Sequence, residues 1–302
     1  MNLHRLDLVS LALFVRVIRT GSISKGAELA HLALAAASRR MADLELAVGS
    51  VLLERHSRGV RATAAGEALF AHAQRILGDV DRLAADLSDH ARGVVGVVRL
   101  WANTSAVTQF LPAELASFSA RHPRVRIELH EHDSSEVVMA TLDGRAEIGI
   151  FAERIDPLGL HTRPYRRDRL VLVVPKGHAL ARRRRVALEE LAGHDFVSLS
   201  QGTSLAQRLA AEAGALGAAL RVRVHVRSFD AMCQMVAAGL GIAVLPLDAV
   251  QPHVRSMGLV RVDLSGDWVQ RQLLIGTRDP DGLSRSARLM LAHLLEQKAA
   301  SA

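Results

Sequence analysis

The sequence predicts three segments. They are a small basic helical module closed by a β-hairpin, one long amphipathic helix, and an α/β region filling the rest of the chain. Three observations carry this. Apolar residues recur at helical spacing up to Val48 and then give way to a short alternating stretch. From Thr63 to His90 there is no proline, glycine occurs only at 66 and 78, and Leu69, Ala73, Ile76, Val80, Leu83 and Leu87 repeat 4-3-4-3-4. Beyond Arg92, stretches of period two alternate with stretches of helical period, as strands interleaved with helices do.

Bulk properties set the bounds. At roughly 150 residues per domain, 302 residues suggest about two domains. Hydrophobic residues at 49% and charged residues at 23% are ordinary for a globular protein and exclude disordered and collagen-like classes. No run of ~18 apolar residues exists, so no transmembrane helix is expected. The apolar run from Met1 to Arg19 is interrupted by Arg5, Asp7, Arg16 and Arg19 and lacks a small-residue cleavage site, so no secretory signal is expected either. A single cysteine, Cys233, allows neither an internal disulfide nor a cysteine metal cluster. The expected location is the cytoplasm.

Charge is uneven. The chain carries 38 Lys and Arg against 31 Asp and Glu, and only Lys25, Lys176 and Lys298 are lysines. Arginine grips phosphate and guanine bidentately, which suits nucleic acid; GC-rich coding gives the same bias. Residues 1–66 hold nine basic and five acidic side chains, whereas residues 67–91 hold two basic and five acidic. A basic module precedes an acidic segment.

The elements follow in order. Leu8, Leu11, Ala12, Val15 and Ile18 mark a first helix that Gly21 stops. Ser22 is placed to cap a second, ending near Ala30. A third begins near Leu34 with the apolar stripe Leu34, Ala37, Met41, Leu44 and Val48. Ala35, Ala36, Arg39 and Asp43 lie on its opposite face. Val51–Thr63, with Arg55, Arg58, Gly59 and Arg61, reads as a hairpin. Three helices, two of them joined by a tight turn, then a basic hairpin, describe a winged helix-turn-helix.

Here a resemblance becomes specific. Gly21-Ser22-Ile23-Ser24, Ala27-Glu28-Leu29-Ala30, Ser38-Arg39, Leu44-Glu45, Leu52-Leu53-Glu54-Arg55 and Arg58-Gly59-Val60-Arg61-Ala62-Thr63-Ala64-Ala65-Gly66 match the LysR-type transcriptional regulators in order and spacing. That family usually carries Ser-Gln-Pro-Ala at the start of its recognition helix. This chain has Ala33-Leu34-Ala35-Ala36, so hydrogen-bonded base readout there should be weak, though an alanine methyl can still touch a thymine methyl. The resemblance implies a winged helix-turn-helix over residues 1–63 and a dimerising linker helix over 64–90. Residues 92–302 then form an effector domain resembling periplasmic binding proteins, with subdomain I at 92–163 and 267–302 and subdomain II at 164–266. The chain crosses between subdomains near Arg163 and Gly266. Leu142–Ile150 and Val236–Pro246 are the best matches in this half. Within it, Val94–Leu100, Val125–Leu129, Glu147–Phe151, Leu170–Val174, Val222–Val226, Ile242–Leu245 and Arg271–Gly276 read as strands. Leu170–Val174 reads as a buried parallel strand. Helices are expected at Ser105–Ala120, Glu136–Asp143, Phe229–Ala238 and Ser284–Gln297.

The expected DNA contacts are Ser22, Ala35, Ser38, Arg39 and Arg40 on the helices, with Arg55, Ser57, Arg58, Arg61 and Thr63 in the wing, reaching phosphates or groove edges. Two polar clusters follow strands at helix starts: Asn103-Thr104-Ser105 and Ser200-Gln201-Gly202-Thr203-Ser204. Helix N-termini favour anions, and plain helix capping is the simpler account of each cluster. The resemblance puts one cluster from each subdomain in an effector cleft. Phe151, Ser228, Phe229 and Pro246 match cleft-lining or hinge-adjacent positions more loosely. Neither cluster contains an acid, so a small anion, a carboxylate above all, is the expected effector, with Phe151 and Phe229 facing its apolar part. His130-Glu131-His132-Asp133 has metal-ligand residue types but no further ligand beside it, so no metal or other cofactor is expected. Cys233 reads as a core thiol rather than a redox sensor, and Arg182–Arg185 as a solvated loop.

The function expected is a DNA-binding regulator modulated by a small molecule. Its expected partners are double-stranded promoter or operator DNA and its own copies, as a homodimer or homotetramer; RNA polymerase is a further candidate and no membrane is involved. Two alternatives compete: an effector-independent architectural DNA binder, and an enzyme using the α/β cleft. No G-x-S-x-G elbow, P-loop or strand-linked G-x-G-x-x-G supports the enzyme.

Overall fold

The computed structural model describes residues 6–56, 59–91 and 96–296. The chain divides into an N-terminal unit of residues 1–92 with 143–145 and a C-terminal unit of residues 93–142 and 146–302.

The N-terminal unit starts with α1 (Leu8–Thr20), α2 (Ile23–Leu29) and α3 (Leu34–Val48). Asp7 opens α1 by accepting the Ser10 N–H at 2.9 Å and the Ser10 hydroxyl at 2.7 Å. Burial raises its carboxyl pKa, but these bonds and the Arg40 charge outweigh that and hold it below the usual range. Gly21, at φ 64°, ends α1 in the left-handed conformation that glycine adopts freely. Ser22 then caps α2 by accepting the Lys25 N–H at 3.3 Å. Gly26 lets the two helices touch, since a Cβ there would lie 2.6 Å from Val17 Cγ2. Phe14, Val17, Ala27, Met41, Leu44 and Leu52 fill the core between the helices. One expected stripe position fails: Leu34 is 51% exposed, and Ala47 is buried near the other end. The buried face runs through Ala37, Met41 and Leu44, and the first-turn position has no element over it.

β1 (Leu53–His56) and β2 (Gly59–Ala62) form the wing, with Leu53 opposite Ala62 and His56 opposite Gly59. The Glu45 carboxylate on α3 accepts the N–H groups of Leu52 at 2.8 Å and Leu53 at 3.1 Å, tying the wing to that helix. Thr63 then caps α4 (Ala64–Ala91): its hydroxyl donates to the Val51 carbonyl at 2.7 Å and accepts the Gly66 N–H at 3.0 Å. The heptad seam of α4 divides. Ala73 is buried in the unit's own core with Leu69, Phe70 and Leu77 against it, whereas Ile76, Val80 and Leu83 are exposed at 38%, 37% and 59%. The start of the seam therefore serves this unit and only the later part is left for a partner. The Leu87 side chain lies outside the described residues.

The C-terminal unit opens with β3 (Gly96–Ala102), α5 (Thr104–Gln109), α6 (Leu111–Arg121), β4 (Val125–Glu131), α7 (Ser134–Leu142), β5 (Ile148–Ala152) and β6 (His161–Pro175). It continues through β7 (Arg185–Val186), β8 (Asp195–Leu199), α8 (Ser204–Ala215), β9 (Arg221–Val226), α9 (Phe229–Ala237) and β10 (Ala243–Pro246). α10 (Leu247–Ser256), β11 (Leu259–Leu264), β12 (Gln270–Thr277) and α11 (Arg285–Glu296) complete it. The strands run β4-β3-β5-β12-β6-β11-β7, with β10 also on β6; β8 and β9 form a separate pair.

Three expectations need correction. The helix expected over Ser105–Ala120 is two helices broken at Phe110, because Pro112 starts α6 and cannot continue α5. Leu170–Val174 pairs antiparallel with both β10 and β11, not parallel. Its continuous apolar run reflects cover on both faces, which says nothing of strand direction. The first crossing lies at Arg169–Leu170 rather than Arg163, because β12 holds residues 161–169 of β6 while β10 and β11 hold 170–175. The return crossing runs from Leu264 to Gln270 through Gly266, at φ 99°. Each lobe keeps its own core. Val98, Leu100, Ile148, Phe118, Ile275 and Met290 make one, and Leu172, Phe196, Phe229, Met232, Val236 and Val244 the other.

Candidate functional sites

On the N-terminal unit, Ala35 and Arg39 of α3 and Arg55 and Arg61 of the wing are exposed. No ion pair to a described residue engages any of these three arginines. Ser57 and Arg58 lie outside the described residues. Of the remaining expected contacts, Arg40, Ser22 and Thr63 are engaged within the fold. Arg40 reaches Asp7 at 3.4 Å and the Ser10 hydroxyl at 3.2 Å, bracing α3 against the start of α1. Ser38 is half-buried, and the oxygens of Ser22 and Thr63 serve as helix caps. Ala33 stands at the α3 N-cap with no side-chain hydrogen bond, so the helix starts without the usual oxygen acceptor.

In the C-terminal unit, pairs of parallel strands bring chemistry together. β3 and β4 run parallel, so Asn103-Thr104-Ser105 after one lies beside His132-Asp133-Ser134 after the other. β8 and β9 are parallel too, placing Ser200–Thr203 beside Arg227. Both pairs border one cleft. Its inner recess is only about 10 Å³, the space of one water, lined by Asn103, Ser105, Ser134, Thr203 and Ser204 among others. Outside it opens a cavity of about 500 Å³ lined by Thr104, Glu131, His132, Asp133, Glu136, Ser200, Thr203 and Arg227.

The expected acid-free cleft is corrected here: Glu131, Asp133 and Glu136 come with β4 and α7, while Arg227 brings a cation. Thr104 donates its hydroxyl to Glu131 at 2.7 Å. The Glu136 carboxylate lies 3.0 Å from His132 Nδ1. Neither Asp133 nor Arg227 makes a side-chain hydrogen bond or ion pair to a described residue. Gly202 admits the Asp133 carboxylate, whose Oδ2 would lie 2.5 Å from any Cβ there. The sequence held a signal for these residues, because ligands of α/β sheets gather at the carboxyl ends of parallel strands.

Capping accounts for several of the expected hydroxyls. Asn103 caps α5, accepting the Ala106 N–H at 3.0 Å and donating to Ser134 Oγ at 3.0 Å. Thr203 caps α8 and donates to the Ser200 carbonyl at 2.9 Å. Other expected cleft residues lie elsewhere. Phe151 and Phe229 are buried in separate cores, Pro246 is buried at the end of β10, and Ser228 caps α9 at the surface. Gln201 lines a different cavity, beside α8 and β9.

Beneath the cleft, buried charge ties the two crossings together. Arg271 on β12 donates twice to Asp168 on β6, with Nε at 2.7 Å, and its Nη2 reaches Ser105 Oγ at 3.1 Å. Gln109 of α5 also donates to Asp168, at 3.0 Å. Arg208 of α8 donates to the carbonyls of Trp268 and Gln270 at 2.8 and 2.6 Å and to Glu153 at 3.1 Å. Burial lowers its pKa, an effect that Glu153 opposes. Ser134 and Ser204 meet across the cleft at 3.4 Å. In the first core, Tyr165 donates to Glu114, and Arg166 pairs with Glu114 at 2.6 Å. Burial first and the Glu114 charge second push the Tyr165 phenol far up.

His130 and His132 pack on Trp101, whose ring stacks on His132 at 4.1 Å. Among the described residues no group of three or more His, Cys, Asp or Glu side chains could hold a metal ion. Cys233 is buried on α9, and burial followed by the Asp230 charge pushes its thiol up to about 11. In the arginine run, Arg183 pairs with Glu190 at 2.8 Å on an exposed loop. No described helix is long and apolar enough to cross a membrane.

Comparison with known proteins fits this geometry. The family model described as bacterial regulatory helix-turn-helix protein, lysR family, matches residues 8–67, and that of the LysR substrate binding domain matches residues 91–299. The chain is 26% identical over 294 residues to the RuBisCO operon transcriptional regulator of Allochromatium vinosum, covering 97% of each chain. Its fold is similar to full-length CbnR complexed with its target DNA, with a TM-score of 0.64, 22% identity, and coverage of 98% of this chain and 100% of that one. It is also similar to the regulatory domain of Synechocystis PCC6803 CcmR in complex with 2-PG, with a TM-score of 0.62, 21% identity, and coverage of 67% and 97%. With a winged basic module in its N-terminal unit and a two-lobed cleft in its C-terminal unit, each under its own family model, the chain belongs to the LysR family of bacterial helix-turn-helix transcriptional regulators.

Proposed function

We propose that this regulator binds an AT-rich dyad upstream of a promoter through residues 1–63 and dimerises along residues 64–90. Residues 92–302 then take a small effector between their two lobes. It is a binding protein rather than an enzyme and works in the cytoplasm, as a dimer or dimer of dimers. The observation that carries the reading is the meeting of four strand ends on one cavity of about 500 Å³, inside the region that matches the substrate binding domain. The site residues belong to the same reading. Arg39, Arg55 and Arg61 hold DNA, and Thr104, Asp133, Ser200, Thr203 and Arg227 hold the effector.

The effector is a small carboxylate that also carries hydrogen-bond donors. Arg227 attracts its acid group, and charge-assisted bonds of this kind contribute roughly 1.5–3 kcal/mol each when shielded from water. Glu131, Asp133 and Glu136 repel a second acid group and accept from hydroxyl or amino groups. Binding selects one spacing of the lobes, and the DNA-bound assembly follows, provided that the effector's affinity differs between the two states. Calorimetry on the full chain with hydroxy acids, amino acids and their unsubstituted parent acids tests this. Saturable heat with a substituted acid, weakened at least tenfold in Arg227→Ala, is expected. Silence across the panel, or equal binding by the variant, overturns the effector site.

A further inference from the structure

Over its first turn, α3 presents only hydrocarbon. Ala33, Leu34, Ala35 and Ala36 are all exposed, and Leu34 keeps 51% of its surface in solvent. The first polar side chain, Ser38, is half-buried, and Arg40 is held by Asp7 and Ser10. Arg39 is therefore the first fully exposed polar side chain along the helix, more than a turn from its start. About half of the Leu34 surface is left uncovered by the fold. Among the exposed charges of α2, α3 and the wing, Lys25, Arg39, Arg55 and Arg61 stand against Glu28, Asp43 and Glu54. The match of residues 8–67 to the helix-turn-helix family model points to DNA as the covering partner.

Resting on the reading of this unit as DNA-binding, we propose that the start of α3 reads thymine C5-methyl groups in the major groove. Leu34 and Ala35 supply the contact, and Arg39 makes the hydrogen-bonded one further along. Of the four bases only thymine offers a methyl at a major-groove edge, so an apolar helix start distinguishes it by burial alone. Cytosine presents an amino group nearby, which a hydrocarbon surface would leave unpaired. Specificity at these positions is thus for shape and hydrophobicity, not for a donor–acceptor pattern.

The test starts from duplexes that the full chain enriches from a random pool. Each thymine of an enriched duplex is replaced in turn by deoxyuridine, which removes one methyl and keeps the base pair. One or two positions should weaken binding about fourfold each, the equivalent of ~0.8 kcal/mol for a buried methyl. The salt dependence should not change, because no phosphate contact is lost. Leu34→Gln, at an exposed position, should remove the deoxyuridine penalty there while binding persists. Uniform indifference to deoxyuridine, or a penalty that survives Leu34→Gln, overturns the proposal. A chain that enriches no duplex overturns the DNA-binding reading along with it.

Discussion

In the N-terminal unit Arg39, Arg55 and Arg61 are exposed and form no ion pair with a described residue. In the C-terminal unit Arg166, Arg208 and Arg271 are buried, and each is bonded to a carboxylate: Glu114, Glu153 and Asp168. The same residue type thus has two roles. An exposed guanidinium is hydrated and costs the fold little, so it stays available to a partner. A buried one must have its charge and its fork of donors matched inside the protein. Arginine enrichment alone therefore does not mark a binding surface.

The contrast can be broken most sharply at Arg271. Arg271→Ala leaves the Asp168 carboxylate buried with Gln109 as its remaining donor, a loss of roughly 3–5 kcal/mol. At about 2–4 °C per kcal/mol, the C-terminal unit should melt on the order of 10 °C lower by calorimetry. An unchanged melting temperature would show that the pair does not support the fold. Arg39→Ala should do the reverse. Melting should stay within about ±0.5 kcal/mol of wild type, while affinity for an enriched duplex falls by roughly 1–3 kcal/mol. A variant that binds as well as wild type removes Arg39 from the interface.

The smallest effect is expected at Cys233. With its thiol near 11, about one molecule in a thousand carries the thiolate at pH 8. An aromatic disulfide reagent should leave the native protein unmodified and react once guanidinium unfolds it. The thiol has its raised pKa only while folded, so native reactivity should appear only above about pH 10. Prompt labelling of the native protein at pH 8 would restore the redox-sensor reading.

The features legible from sequence are those with local causes. Gly21 stops α1 and Ser22 caps α2 because turn and cap chemistry depends on a few neighbouring residues. The α3 boundaries follow from one periodic stripe. The misread features depend on distant partners. Periodicity reports that Leu170–Val174 is covered on both faces but not that β10 and β11 are antiparallel to it. The cleft acids follow β4, and only the β3–β4 pairing carries them to Thr104. Phe229 follows Arg227 closely and Phe151 lies near the close of a strand, yet apolar rings of that size found places in the cores. Leu34 shows the converse, since its place in the stripe implied burial that no neighbouring element supplies.

β6 is a single strand of fifteen residues hydrogen-bonded into both lobes, by β12 along one part and by β10 and β11 along the other. Neither lobe can release its share of that strand without pulling on the residues that the other lobe holds. Two separate cores are thereby joined into one cooperative unit, and partial unfolding of one lobe is suppressed by the other. An effector held in the cleft consequently protects the whole C-terminal unit, not the half it touches. That protection grows with ligand concentration as mass action requires, so the lifetime of the folded regulator would itself depend on how much effector is present.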